Sequence, residues 1–201
     1  MGKLQAPFYL RDDVVAIAQE LLGTILVTEW EGVRTTARIV ETEAYRGPED
    51  KASHAYNNRR TARTEVMFGP GGHAYVYLCY GIHHLFNVVT GPAEIPHAVL
   101  VRAVEPLAGI DIMMARRQRT LTKKLTSGPG LVGQALGLST IHSGLALTTG
   151  DSIWIEAQRL EKGEVVISSP RIGVDYAGEC ATWPWRFYLA GNPWVSGKRN
   201  V

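Results

Sequence analysis

Apolar residues recur at Val14, Val15, Ile17, Ala18, Leu21 and Leu22, a 3.6-residue spacing that predicts a helix. Asp12 or Asp13 can cap its start, and Gly23 stops it. The pattern then becomes extended. Thr24 to Trp30 is rich in β-branched and apolar residues, Glu31-Gly32 is a turn, and Val33 to Tyr45 resumes as strand, which predicts a hairpin. Residues 46–72 mix charges with Gly, Pro and Asn without a period, so they read mostly as loop with room for a helical turn. Ala74 to Tyr80 and Ile82 to Thr90 predict a second hairpin with Tyr80-Gly81 at its tip. Ala98 to Val104 reads as a buried strand. Pro106 opens a predicted helix through about Gln118, with Leu107, Ile110, Met113 and Met114 on one face and Arg116, Arg117 and Arg119 at its C-terminal end. Ser127-Gly128-Pro129 leads into a short helix over Leu131 to Leu136. The last third predicts strands at Ser152–Ala157, Val165–Ser168, Arg171–Val174 and Arg186–Leu189. No repeat or linker divides the chain, and short turns join successive strands. One α+β domain spanning residues 1–201, with a largely antiparallel sheet, is the expectation.

Composition narrows the class. With 45% hydrophobic and 20% charged residues the chain is neither collagen-like, disordered nor coiled coil. No apolar run reaches the roughly 18 residues that a bilayer span needs, so no membrane partner is expected. The opening residues Met1–Pro7 lack the apolar region of a signal peptide. Cys79 and Cys180 cannot build a disulfide framework or a thiolate zinc site. A reducing, cytoplasmic setting is expected. The formal net charge of +2 conceals segregation. Residues 46–63 hold five basic side chains against two acids, and residues 101–130 hold six against two. These local excesses of +3 and +4 suit a polyanion, since neutralising phosphates drives nucleic-acid binding. Two solvated basic loops would give the same pattern.

The densest chemistry lies in Ile39-Val40-Glu41-Thr42-Glu43-Ala44-Tyr45. Strand alternation puts Glu41, Glu43 and Tyr45 on one face, with Ile39 beside them. Two carboxylates crowded among apolar neighbours suit a general base or acid. Glu41 could instead sit at a solvent-facing strand edge, pairing an arginine. Tyr75 and Tyr77 share a face of the second hairpin, and Tyr80 falls at its turn. A large aromatic there either folds back on its own sheet or wedges between bases from the minor groove. His54, His73, His83, His84, His97 and His142 show no metal-ligand spacing, so neither metal nor cofactor is expected. There is no Gly-x-Ser-x-Gly elbow, and Gly69-Pro70-Gly71-Gly72 lacks the lysine of a phosphate loop.

Several of these strings resemble the alkyladenine (3-methyladenine) DNA glycosylases. They are Arg38-Ile39-Val40-Glu41-Thr42-Glu43-Ala44-Tyr45, Gly47-Pro48-Glu49-Asp50, Ala74-Tyr75-Val76-Tyr77-Leu78-Cys79-Tyr80-Gly81 and Arg102-Ala103-Val104-Glu105-Pro106-Leu107. Ser127-Gly128-Pro129, Arg171-Ile172-Gly173-Val174, Arg186-Phe187-Tyr188 and Pro193-Trp194-Val195-Ser196 extend the likeness, in order, from about Leu10 to Ser196. The resemblance implies a bacterial monomer with a curved sheet, flanking helices and a protruding β-hairpin. It implies a metal-free, monofunctional base-excision-repair enzyme that flips a damaged purine from double-stranded DNA. That enzyme hydrolyses the N-glycosidic bond without lyase activity. Carried onto this chain, Glu43 is the general base for water, helped by Arg102 and the backbone carbonyl near Val174. Tyr45, His54 and Tyr77 enclose the base, Asn87 disfavours guanine, and Tyr80 fills the gap left in the duplex. Two alternatives remain open: a two-carboxylate glycoside or nucleoside hydrolase, whose Glu41 and Glu43 Cα atoms would lie about 6.6–6.8 Å apart, and a non-catalytic DNA-binding module.

Overall fold

A thirteen-residue strand, Val33–Tyr45, runs through the middle of the molecule, and the sheet is organised about it. The computed structural model describes residues 2–120 and 122–197. The strands are β1 (Ile25–Trp30), β2 (Val33–Tyr45), β3 (Ala74–Cys79), β4 (His83–Thr90), β5 (His97–Ala108), β6 (Ile153–Glu156), β7 (Val166–Ser169) and β8 (Arg186–Leu189). Their order is β3-β4-β5-β2-β1-β6, and β8 bridges β2 to β7. All pairings are antiparallel. On one side β2 pairs with β5 along most of its length. On the other it pairs first with β1, over Val33–Arg38, and then with β8, over Glu41–Glu43. The sheet therefore forks where the two carboxylates sit.

Helices α1 (Ala6–Tyr9), α2 (Val14–Glu20), α3 (Ile110–Arg117) and α4 (Pro129–Ala135) flank the sheet. Asp13, rather than Asp12, caps α2: its Oδ1 accepts from the Ala16 N–H at 2.9 Å. Val14, Ile17, Ala18 and Leu21 bury their side chains with Val40, Ala44, Val99 and Val101 of the sheet in the main core. The loop over residues 46–72 carries two short 3₁₀ turns, Tyr56–Asn58 and Glu65–Phe68, and crosses the other face. There Ala55, Met67 and Phe68 pack on Tyr75, Val89 and Ala98. The sheet thus has a dry face under the helices and a face that is half covered and half cavity. Among the described residues no helix is long and apolar enough to cross a membrane.

Three expectations need correction. Pro106 does not start a helix: β5 runs on to Ala108, and α3 begins at Ile110 after Gly109. Beyond Leu100, β4 no longer pairs with β5, and Pro106 lies opposite Ala37 of β2. That one-sided position tolerates the missing N–H of proline. Arg171–Val174 is not a strand, because the Ile172 N–H donates to Glu43 Oε1 at 2.8 Å instead of to a ladder partner. Ile39 does not share the face of Glu41 and Glu43. The β2–β5 register slips between Ile39 and Glu41, which leaves Val40 as an extra residue, and Ile39 joins the core with Ala37 and Val40.

Candidate active site

The register aligns one row of residues across five strands: Tyr75, Asn87, Leu100, Glu43 and Arg186. A second row sets Tyr45 beside Ala98 and Val89. A further slip on β5, between the partners of Glu41 and Thr42, makes Arg102 a bulged residue. A bulge re-aims a side chain, and Arg102 reaches both carboxylates: Nε donates to Glu41 Oε1 at 3.0 Å and Nη1 lies 3.2 Å from Glu43 Oε2.

Over this face lies a cavity of about 610 Å³, a size typical of ligand sites. Its walls include Tyr45, His54, Tyr77, Asn87, Arg102 and Val174, and Tyr80 stands at its edge. The other residues implied by the resemblance, scattered over some 130 positions, line this one space; Glu43 itself is fully buried behind the wall, in contact with the lining residues Tyr45, Arg102 and Ile172. Val174 presents a buried side chain to the same space, and its carbonyl accepts from the Ala177 N–H at 2.8 Å.

Glu41 and Glu43 have different environments. Glu41 Oε1 accepts from Arg102 Nε at 3.0 Å, Arg186 Nε at 2.6 Å and Ser196 Oγ at 2.9 Å, and Oε2 accepts from the Ser196 N–H at 2.6 Å. It is buried, not at a solvent-facing edge, and it is held by four donors, three on Oε1 and one on Oε2. Glu43 Oε2 accepts from the Tyr45 hydroxyl at 2.8 Å and faces Arg102, while Oε1 accepts one bond, from Ile172 N–H. A carboxylate oxygen has two lone pairs, so Oε1 can accept once more. Burial opposes the charge on Arg102, but Glu43 and Glu41 outweigh it and hold the guanidinium above its ordinary pKa. Burial, reinforced by Glu43, pushes the Tyr45 phenol well above its usual value, so it remains a donor.

The aromatic walls are braced. His54 Nδ1 lies 2.8 Å from the Tyr75 hydroxyl, and its ring meets Tyr77 edge to face at 4.6 Å. Burial, aided by Arg63 and Arg59, pulls the His54 pKa down to about 4, so the imidazole is neutral near pH 7. Asn87 Nδ2 donates to Tyr75 O at 3.1 Å and to Leu85 O at 3.4 Å, which fixes its amide plane. Behind Tyr45, Arg171 stacks at 4.8 Å from ring to guanidinium carbon. Arg171 is locked by Asp50, whose Oδ1 accepts from Nη2 at 2.8 Å and whose Oδ2 accepts from Nη1, and by the Ala44 and Cys180 carbonyls. Over Tyr77, Arg63 stacks at 4.7 Å. Such an exposed cation–ring contact contributes about 0.5–1 kcal/mol.

Arg63, Asp50, Arg171, Ile172 and Ser196 were not singled out for roles from sequence. Asp50, Arg171, Ile172 and Ser196 lie within the resembling strings, but their partners are 94 to 155 residues away in the chain. Arg63 carried a weaker signal, as one of several cations in the basic loop. Among the described residues no three His, Cys, Asp or Glu side chains converge to hold a metal ion.

Tyr80 is 91% exposed at the hairpin turn. It has φ 51°, followed by Gly81 at φ 71°, and the Ile82 N–H donates to Cys79 O at 3.2 Å. Two successive positive φ values are the signature of a type I′ turn. A tyrosine is a costly choice there where Asn or Gly is usual. It does not fold back on its own sheet.

A model of the methylpurine-DNA glycosylase family matches residues 7–193. Relatives named as 3-methyladenine DNA glycosylases include one from Bacillus cytotoxicus, 46% identical over 96% of this chain and 99% of its own length. One from Chlamydia abortus is 51% identical, over 92% and 97%, and one from Chlamydia felis is 52% identical, over 92% and 95%. The fork that seats Glu43, the aromatic cavity above it and these near full-length likenesses agree: the chain belongs to the methylpurine-DNA glycosylase family.

Proposed function

We propose that the protein is a DNA glycosylase of base-excision repair that extrudes a damaged purine from duplex DNA and hydrolyses its N-glycosidic bond. The observation that carries this reading is the asymmetry of the two buried carboxylates. Glu41 is held by four donors, of which only Arg102 lines the cavity, whereas all three residues that contact Glu43, namely Tyr45, Arg102 and Ile172, line it. In this mechanism a water donates a hydrogen bond to Glu43 Oε1, and a second one to the Val174 carbonyl. Arg102 pairs with Glu43, and the Tyr45 hydroxyl orients it. As the water attacks C1′ of the deoxyribose, Glu43 takes its proton and the base departs with the bonding electron pair. N-alkylated purines are electron-poor and leave without strong acid assistance, so one carboxylate suffices.

Extrusion costs a few kcal/mol of stacking and pairing. Tyr80 offsets part of that cost by filling the gap in the duplex, and Tyr45, Tyr77 and His54 receive the base. Stacking on such rings contributes about 1–3 kcal/mol per base. Asn87, with its amide held rigid, crowds the exocyclic amine of guanine and so disfavours the normal base.

A base-release assay on alkylated duplex is the test. Glu43→Gln lowers release by about 10²–10⁴-fold, the usual contribution of a general base, and leaves binding to the same duplex intact. Release by this variant at the wild-type rate overturns the mechanism, and no release by the wild-type chain favours a DNA-binding module instead.

A further inference from the structure

Two tyrosines of the cavity, Tyr45 and Tyr77, each carry an arginine, and the two arginines are held very differently. Arg171, on Tyr45, is buried and locked by the Asp50 carboxylate. Arg63, on Tyr77, is exposed and lines the cavity itself. Its polar contacts are with the cavity wall itself: Nη2 lies 3.4 Å from His54 Nε2, and the guanidinium shares a hydrogen bond with the Tyr75 hydroxyl. Three other cations of the same loop find acids: Arg46 lies by Glu49, Lys51 by Glu179, and Arg60 by Glu65 and Glu94. No carboxylate lies within ion-pair distance of Arg63 among the described residues. Arg60, which also stacks on a ring, Phe68 at 4.7 Å, is fixed by its two acids. Arg63 is therefore a planar cation held in an aromatic site by little more than that site.

We infer that Arg63 is a displaceable occupant of the base cavity: its guanidinium covers the Tyr77 ring until an extruded purine takes that stacking position, and it then moves onto a backbone phosphate of the duplex. This rests on the reading that the cavity receives a flipped base. The physical reasons are three. A guanidinium and a purine compete for the same ring, since both are flat and stack on an electron-rich face. A purine made cationic by alkylation repels Arg63 if both remain, so binding of that base expels it. Released beside a polyanion, an arginine without a carboxylate partner finds a phosphate. Vacating the ring and gaining the phosphate are then coupled to flipping. A base that stacks poorly does not displace Arg63, which gives the cavity a threshold for entry.

The test is nuclear magnetic resonance of the arginine side chains in the full chain, with Arg63 identified by its loss in Arg63→Gln. In the free protein the Arg63 Hε signal is shifted upfield by the Tyr77 ring. Addition of a Glu43→Gln-trapped duplex carrying one 7-methylguanine or 1,N6-ethenoadenine removes that shift, and undamaged duplex leaves it in place. The salt dependence of binding gives a second readout. For the wild-type chain the slope of log K against log salt is steeper by about 0.9 on lesion than on undamaged duplex, one phosphate's worth. For Arg63→Gln that difference vanishes. A ring-shifted Arg63 signal in the lesion complex, or the same slope difference in both proteins, overturns the inference. Base release by the wild-type chain is measured in parallel, so that failure of the glycosylase reading is recognised separately.

Discussion

Glu41 and Glu43 are two positions apart on one strand and have separate tasks. Glu41 ties β2 to β5 through Arg102, to β8 through Arg186, and to Ser196. Removing its charge takes from buried Arg186 its carboxylate partner and leaves Arg102 with Glu43 alone, and breaking such a buried pair costs about 3–5 kcal/mol. Glu41→Gln is therefore expected to lower the unfolding free energy by that amount in denaturant titration. Glu43→Gln keeps most of the stability, because Arg102 still has Glu41, and loses turnover. The opposite assignment of the two effects contradicts this division. Alternation along the strand made the shared face legible in the sequence. The division was not, because Arg186 and Ser196 lie 145 and 155 residues from Glu41 in the chain. Two glutamates of the same local surroundings differ only in which distant donors the fold brings to them.

At the level of elements, the hairpin of β3 and β4 is a carrier for one residue. The tyrosine at φ 51° stands where a left-handed conformation costs an ordinary residue about 1–2 kcal/mol. Tyr80→Gly is expected to leave thermal stability unchanged or raise it by up to about 1 kcal/mol. Both Tyr80→Gly and Tyr80→Ala are expected to weaken lesion-duplex binding by about 1–3 kcal/mol. They also lower the flipped fraction, read with a fluorescent base. Unchanged affinity and flipping remove Tyr80 from the mechanism. This hairpin, the first hairpin and α2 were all legible, because each is specified by a local period and a turn. The extension of β5 past Pro106 was not, since proline is a good first residue for a helix and only the partner strands show that it lies on an open edge. The segment 171–174 has a strand-like sequence but serves as a clasp, its backbone drawn to Glu43 and its arginine to Asp50. The close approach of α4 to the hairpin was equally hidden: at Gly133 any Cβ would collide with the His84 carbonyl.

At the scale of the whole molecule, the net charge of +2 is a balance of locally paired groups. In the 46–63 loop three of the five cations find acids, and Arg59 and Arg63 do not among the described residues. That loop is thus less of a polyanion surface than its sequence count suggests, with its unspent charge beside the cavity. The same two arginines, after burial, help hold His54 neutral. An unfolded histidine binds a proton near pH 6.5, whereas His54 does so near 4. Burial lowers His97 too, with Arg46 aiding and Asp12 and Glu49 opposing. Between those values the unfolded chain binds more protons, so this contribution to stability is complete above pH 6.5 and declines as pH falls toward 4. Thermal unfolding is expected to show that decline already between pH 6.5 and 5, above the range where carboxylates titrate, and His54→Gln flattens it. Stability independent of pH in this window overturns the assignment. The closing of the sheet fork has a consequence for the order of synthesis. Glu43, Tyr45, the hairpin of β3 and β4 and Arg102 all leave the ribosome before β8 and Ser196, the latter 94 residues after Arg102. A nascent chain can therefore form the hairpin that carries Tyr80 well before Glu41 is tied to β8 and Ser196. On the proposed mechanism, competence to release a base arrives only with the last strand, and an interrupted chain would present Tyr80 without a set Glu43.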